Sequence, residues 1–210
     1  LVCNNNRGWF DAHKTDYKNY VITPAQRFVV AMGERLQELS PGIIADTRIN
    51  GAGSIFRVYR DTRFTQDKSP YKTFLGILFW EGSRKKTENS GFYFHLEPEK
   101  LMLATGIHIF PKSVLKTYRD AVVHPEYGMT LLEAIEDVTA LGNFQVGGKH
   151  YKRIPRGYDA NHKNAEFLFY NGLYAFAEGD IPDELFETNC LDYCFDKFRE
   201  MVSIHRWLVS

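Results

Sequence analysis

Apolar residues along this chain switch between two spacings. Phe28, Val29, Met32, Leu36 and Leu39 recur at three- and four-residue intervals, the period of a helix that buries one face. Thr23-Pro24 opens that helix, with proline at the first helical position, where its missing N–H is no loss, and Ser40-Pro41-Gly42 closes it. Ahead of it, Asn6 is placed to cap a first helix running to about Tyr20. Ile43 to Ile49 reads as extended. Phe74 to Trp80 is an apolar run of strand length. Gly91 to Leu96 then alternates, with Phe92, Phe94 and Leu96 on one face and Tyr93 and His95 on the other. Pro98-Glu99-Lys100 turns the chain into a further strand, in which Leu101, Leu103, Thr105, Ile107 and Ile109 share a face while Gly106 and His108 look the opposite way. Such short connections predict antiparallel neighbours. Helical spacing returns after Pro111 with Val114, Leu115, Tyr118 and Val122, and after Pro125 with Leu131, Leu132, Ile135, Val138 and Leu141. Phe144 to Tyr151 reads as a strand or hairpin, His162 to Tyr170 as a helix and Leu173 to Ala177 as extended. Pro182 starts a long final helix towards Trp207.

Strands grouped centrally with helices at both ends predict an α+β fold, a single domain over residues 1–210 with a central, mainly antiparallel sheet packed by N-terminal and C-terminal helices. No internal repeat or low-complexity linker interrupts it. Hydrophobic residues make up 44% and aromatics 15% of the chain, enough for a substantial core. The 26 basic and 26 acidic side chains cancel, which disfavours a duplex nucleic-acid partner. Stacking of single-stranded nucleic acid on Tyr59, Phe64 and Tyr71 is the weakest reading for the same reason. No apolar run is long enough to span a bilayer and no secretory leader is evident, so no membrane partner is expected and a cytoplasmic location is the default. Oligomeric state is not written in the sequence.

Charge is unevenly placed, and that is where candidate chemistry lies. Between Arg57 and Thr73 the chain carries Arg60, Asp61, Arg63, Asp67, Lys68 and Lys72 among the rings of Tyr59, Phe64 and Tyr71. Arg60 and Arg63 offer forked donors for carboxylate or phosphate oxygens, and the aspartates can hold those forks in place. A second basic loop, Lys152 to Tyr158, presents Arg153 and Arg156 beside Pro155 and Gly157. Brought together, the two loops would form one electropositive pocket for a small anionic ligand. The competing reading is a structural brace of ion pairs in a non-enzymatic scaffold or interaction module. His95 is the natural proton carrier, with Tyr93 as helper, although a histidine without a known partner is more often a hydrogen-bonded structural residue. Cys190 and Cys194, four apart on one helical face, read as two buried thiols acting as small hydrophobes. Trp9 and Phe10 read as core before pocket. No phosphate-binding glycine loop, nucleophile elbow or metal-ligand spacing is present, and nothing names a cofactor.

The segments NNNRGWFDAHK, FRVYRDTRFTQDKSPYKT, GFYFHLEP, ATGIHIFPKSVLKTYRDAV and KRIPRGYDANH, in this order, resemble the bacterial and fungal family called domain of unknown function 2461. The RDTRF…DKSPYKT block is its most specific mark, and the resemblance covers nearly the whole chain. It implies a single α+β domain of about this length, and it carries no activity or catalytic residue. What it does imply is that Arg60, Asp61, Arg63, Lys68, Tyr71, Lys72, Arg153 and Arg156 belong to the family's pattern.

Overall fold

The helical period of the first forty residues becomes one almost unbroken helical path. A computed structural model describes residues 1–210. Asn6 caps α1 (Arg7–Ala12) as its sequence position implies, its Oδ1 accepting the Trp9 N–H at 2.9 Å. The expected run to Tyr20 is broken at His13. It continues as α2 (Lys14–Tyr17) and a π-helical turn (Lys18–Ile22) that leads into α3 (Thr23–Leu39) with no departure from helical conformation. Proline explains the wide turn. Pro24 cannot donate to the carbonyl one turn earlier, and its ring would crowd that carbonyl. A π turn relaxes the crowding, and the Thr23 hydroxyl caps the Lys18 carbonyl at 3.0 Å.

Six strands form an antiparallel sheet in the order β1-β2-β3-β4-β6-β5, and the fold class is α+β as the sequence predicts. They are β1 (Ile43–Ile44), β2 (Leu75–Glu81), β3 (Gly91–Glu97), β4 (Lys100–Ile107), β5 (Gln145–Lys149) and β6 (Tyr170–Asp180). The extended run expected to Ile49 pairs only at its first two residues. Ile109, expected to share the buried face of β4, lies beyond the end of that strand and is exposed. Helices α4 (Lys112–Val123) and α5 (Pro125–Thr139) follow their apolar stripes, broken at Pro125 as expected. Two helical expectations fail. His162 to Tyr170 holds only a 3-10 turn, Ala165–Phe169. The long last helix is a 3-10 turn (Asp183–Phe186), then α6 (Cys190–Glu200) and α7 (Val202–Val209), parted at Met201. No glycine or proline marks that break, and Met201 is fully buried there.

The chain gathers into two compact units. The first takes Leu1–Phe79, Tyr93–Met102 and Glu178–Phe195. In it α3 buries Ala25, Val29, Met32 and Leu36, while the Phe28 ring meets those of Phe94 and Phe79 at 5.0 and 6.3 Å. The second takes Trp80–Phe92, Leu103–Ala177 and Asp196–Ser210. Buried Asn164 pins its long loop to the α4–α5 corner, donating through Nδ2 to the carbonyls of Val122 and Gly128 at 3.0 and 2.9 Å. Gly128 is obligatory there, because a Cβ would collide with the Val122 carbonyl and the Asn164 amide.

The second unit also encloses a polar cluster. His205 is fully buried and Ser90 nearly so. The Ser90 hydroxyl lies 2.9 Å from His205 Nδ1, and His205 Nε2 lies 3.1 Å from Glu81 Oε2. A neutral imidazole satisfies both, accepting from Ser90 at Nδ1 and donating to Glu81 from Nε2. Burial holds the His205 pKa below its ordinary value, although Glu81 pulls the other way. An unfolded chain therefore binds a proton at this residue more readily than the native one, and the stability it contributes is present above about pH 6.5 and lost as pH falls. Wild-type melting temperature is expected to drop between about pH 7 and about pH 5 more steeply than that of His205→Gln. Parallel pH curves for the two proteins would refute this.

Candidate functional site

An aromatic cavity of about 810 Å³ lies within the first unit. Its walls come from α1 (Trp9, Phe10), α2 and the π turn (Tyr17, Tyr20), α3 (Phe28), the irregular segment after β1 (Phe56, Val58, Lys72, Phe74), strands β2 and β3 (Ile77, Phe94, Leu96), and the chain leading to α6 (Leu185, Phe186, Cys190). Trp9 and Phe10 therefore line a cavity as well as packing. Trp9 is braced by His13, whose ring stacks on the indole at 4.0 Å. Tyr20 and Phe186 are largely exposed, which leaves apolar surface open to water beside the cavity. Concave, mostly apolar walls with few polar groups are the ordinary make-up of a small-molecule site.

A second, polar hollow of about 510 Å³ adjoins it and shares Val2, Lys72, Thr73 and Phe74. It contains Arg60, Asp61, Asp67, Ser69 and Tyr71, so four of the sequence-designated residues (Arg60, Asp61, Tyr71 and Lys72) meet in one place. The segment is held as a loose hairpin by the Tyr59–Tyr71 bridge and by backbone bonds from Arg60 N–H to the Pro70 carbonyl (2.9 Å) and Lys72 N–H to the Val58 carbonyl (2.7 Å). Asn5, which sequence reasoning missed, locks it to the start of the chain. Its side-chain amide donates to the Tyr71 carbonyl at 2.9 Å and accepts the Tyr71 N–H at 3.1 Å, imitating a strand partner. Buried Tyr71 then packs against Phe10 at 4.2 Å. The only hint in the sequence is the Asn4-Asn5-Asn6 run, and periodicity gives no reason to single out its middle member.

Charge pairing divides the cations of this loop. Arg63 donates from Nε and Nη2 to the two oxygens of Asp61 at 2.9 and 2.7 Å, an exposed pair that holds the Asp61 carboxyl down at about 2. Arg60 pairs with Asp67, whose carboxyl is pushed low by its bonds to Ser69 and Arg60. Lys68 Nζ donates to the Thr62 carbonyl at 2.8 Å. The forks of Arg60 and Arg63 are thus satisfied within their own loop. Lys72 is different. It is half-buried, makes no ion pair, and holds its ammonium 5.4 and 5.6 Å from the centres of the Phe56 and Phe74 rings. Burial and the nearby Arg57 charge lower its pKa. Lys72 is thus a cation without an ion-pair partner on the wall shared by the two hollows, and the charge of exposed Arg57 nearby adds to the local positive potential.

His95 and Tyr93 occupy the face of β3 expected for them and are joined through Tyr93 Oη and His95 Nδ1 at 2.9 Å. Gly76 gives the phenol room, because a Cβ there would stand 2.9 Å from its oxygen. Burial raises the Tyr93 pKa to about 12 and lowers that of His95. Neither lines a hollow. Phe74 stacks on His95 at 4.3 Å and presents its own ring to the cavity. Arg153 and Arg156 are exposed on a loop of the second unit and line neither hollow.

A search against protein-family profiles matches residues 1–207 to "Conserved hypothetical protein (DUF2461)". The chain belongs to the DUF2461 family. No curated protein and no solved structure matches it. For this DUF2461 member, geometry has to carry the functional reading. No helix is long and apolar enough to cross a membrane, and no three His, Cys, Asp or Glu side chains are grouped to hold a metal ion. The Ser90–His205–Glu81 cluster has the composition of a hydrolase triad, but at 1% and 0% exposure its serine and histidine cannot meet a substrate.

Removing the exposed Arg63–Asp61 pair with Arg63→Ala should leave the melting temperature unchanged. Asn5→Ala leaves two part-buried backbone groups of Tyr71 unpartnered and should cost about 1–3 kcal/mol. Denaturant melts of the two variants test the contrast, which fails if Arg63→Ala proves the more damaging.

Proposed function

We propose that this protein binds a small anionic ligand with an apolar body, seating the body in the aromatic cavity and the acidic group at Lys72. The observation that carries the reading is the unpaired, half-buried Lys72 ammonium on the wall between an apolar cavity and a polar hollow. An ammonium already partly stripped of water pairs more strongly with an anion than an exposed one does. Arg60 stands at the edge of the same hollow and adds donors once Asp67 shares it. Asp16 and Glu97, also on the cavity wall, disfavour a second negative charge on the ligand. The role is one of binding: His95, the candidate proton carrier, would reach a ligand only if Phe74 moved aside.

The alternative is a non-enzymatic scaffold in which the Arg/Asp block is a structural brace. It is favoured by one observation, the pairing of Arg60 with Asp67 and Arg63 with Asp61 inside the loop. Both pairs involve exposed groups, where ion pairing adds little to stability, and neither accounts for Lys72.

Thermal shift with decanoate, 1-decanol and decylammonium separates the readings. At a concentration near a hundredfold its Kd, decanoate should stabilise the protein by about 2.7 kcal/mol, on the order of 5–10 °C for a chain of this size. Decanol should give much less and decylammonium nothing, and Lys72→Met should reduce decanoate to the level of decanol. Equal shifts from all three compounds, or an undiminished decanoate shift in Lys72→Met, would eliminate the proposal.

A further inference from the structure

We propose that Cys190 and Cys194 form a two-electron redox site that opens onto the aromatic cavity and takes an organic hydroperoxide. The inference shares the cavity with the anion-binding reading but does not require Lys72. Sequence spacing alone treats the two cysteines alike, and the structure separates them. Cys190 is half-buried and lines the cavity, whereas Cys194, one helical turn later, is fully buried. One thiol can meet a cavity guest and the other can meet only its neighbour.

Three features suit Cys190 to attack. It is the first residue of the 11-residue helix α6, where unpaired backbone N–H groups favour a thiolate. The neighbouring Cys194 thiol lowers the Cys190 pKa, while the same contact and then burial raise that of Cys194. Asp192, the acid of the first turn, is paired with Arg35, which offsets its charge. The geometry also allows the second step. Side chains four apart on a helix have Cβ atoms about 5–6 Å apart, and a disulfide needs about 3.5–4.5 Å. The first turn must therefore tighten by an ångström or so. The Cys190 N–H reaches the Glu187 carbonyl only at 3.5 Å, so no short backbone bond from that N–H opposes the shift.

The chemistry balances with the hydroperoxide as oxidant. The Cys190 thiolate attacks the terminal peroxide oxygen, an S–O bond forms as the O–O bond breaks, and the alkoxide leaves with a proton as an alcohol. Cys190 is then a sulfenic acid. The Cys194 sulfur attacks the Cys190 sulfur, the S–S bond forms as the S–O bond breaks, and the hydroxide takes the Cys194 proton to leave as water. Two thiols and one hydroperoxide become one disulfide, one alcohol and one water.

The experiment treats the reduced full-length chain with cumene hydroperoxide or hydrogen peroxide, blocks the remaining thiols and maps the peptides by mass spectrometry. A 190–194 disulfide is expected, formed about tenfold or more faster with cumene hydroperoxide, since burying its apolar body in the cavity favours it. Cys194→Ser and Cys194→Ala should both stop at a dimedone-reactive sulfenic acid on Cys190. Cys3→Ser, which removes the exposed thiol near the chain start, should change nothing. Oxidation of Cys3 as fast as Cys190, disulfides between chains, or equal rates with the two peroxides would overturn the proposal. Lys72→Met should leave the rate with uncharged cumene hydroperoxide intact, so loss of decanoate binding and loss of this chemistry are separable results.

Discussion

The two bonds between the Asn5 side chain and the Tyr71 backbone constrain the site more than any other contact. They span sixty-six residues and join the start of the chain to the far end of the charged loop. Tyr71 in turn carries Phe10 of α1, and Phe10, Trp9 and Tyr17 make up one wall of the cavity. Without that clamp the charged hairpin has little to hold it, because most of its remaining polar contacts are internal. A side-chain amide that supplies both a donor and an acceptor can do what a neighbouring strand would do, at a place where the chain is too irregular to supply one.

Electrostatics at the site follow from which charges that hairpin uses up. Four of its ionic groups pair off in water, where pairing stabilises little but orders the loop. The energetically consequential charge is the one left over. Lys72 is drawn away from water onto two aromatic rings, a placement that compensates part of its lost hydration, and its neighbour Arg57 repels it. A cation held in that state has more to gain from an incoming anion than a fully hydrated one. The same reasoning separates the two histidines that look chemically capable. His205 has a serine and a carboxylate as partners but is sealed, so its cluster serves stability; His95 has a phenol as partner and a ring between it and the cavity.

Much of the architecture was legible because it rests on local periodicity. The alternation in Gly91 to Leu96 put Tyr93 and His95 on one face, where they are hydrogen-bonded, and the stripes of α3, α4 and α5 bury Val29, Met32, Leu36, Tyr118, Val122, Leu131 and Val138, whereas Leu132 and Leu141 of the predicted α5 stripe are exposed. Asn6 was readable as a cap, since capping involves only the next few residues. The misses came where distant packing overrode local pattern. Pro24 does open α3, yet no gap precedes it, because a π turn joins α3 to the helix before it. The final helix parts at Met201 with no breaker residue, and Asn164 ties a stretch that looked helical into a loop clamp.

By itself the sequence determined the α+β class, the family, and the stretch of chain in which charge and aromatic rings concentrate, because each of these depends on residue order over short range. Only the tertiary structure decided that Lys72, unlike Arg60 and Arg63, makes no ion pair and stands on a cavity wall, and that Cys190 faces that cavity while Cys194 does not. The Arg63–Asp61 and Arg60–Asp67 pairs are local, but whether an acid from elsewhere reaches Lys72, and which thiol meets open space, depend on how remote segments pack, and spacing along a chain does not encode that.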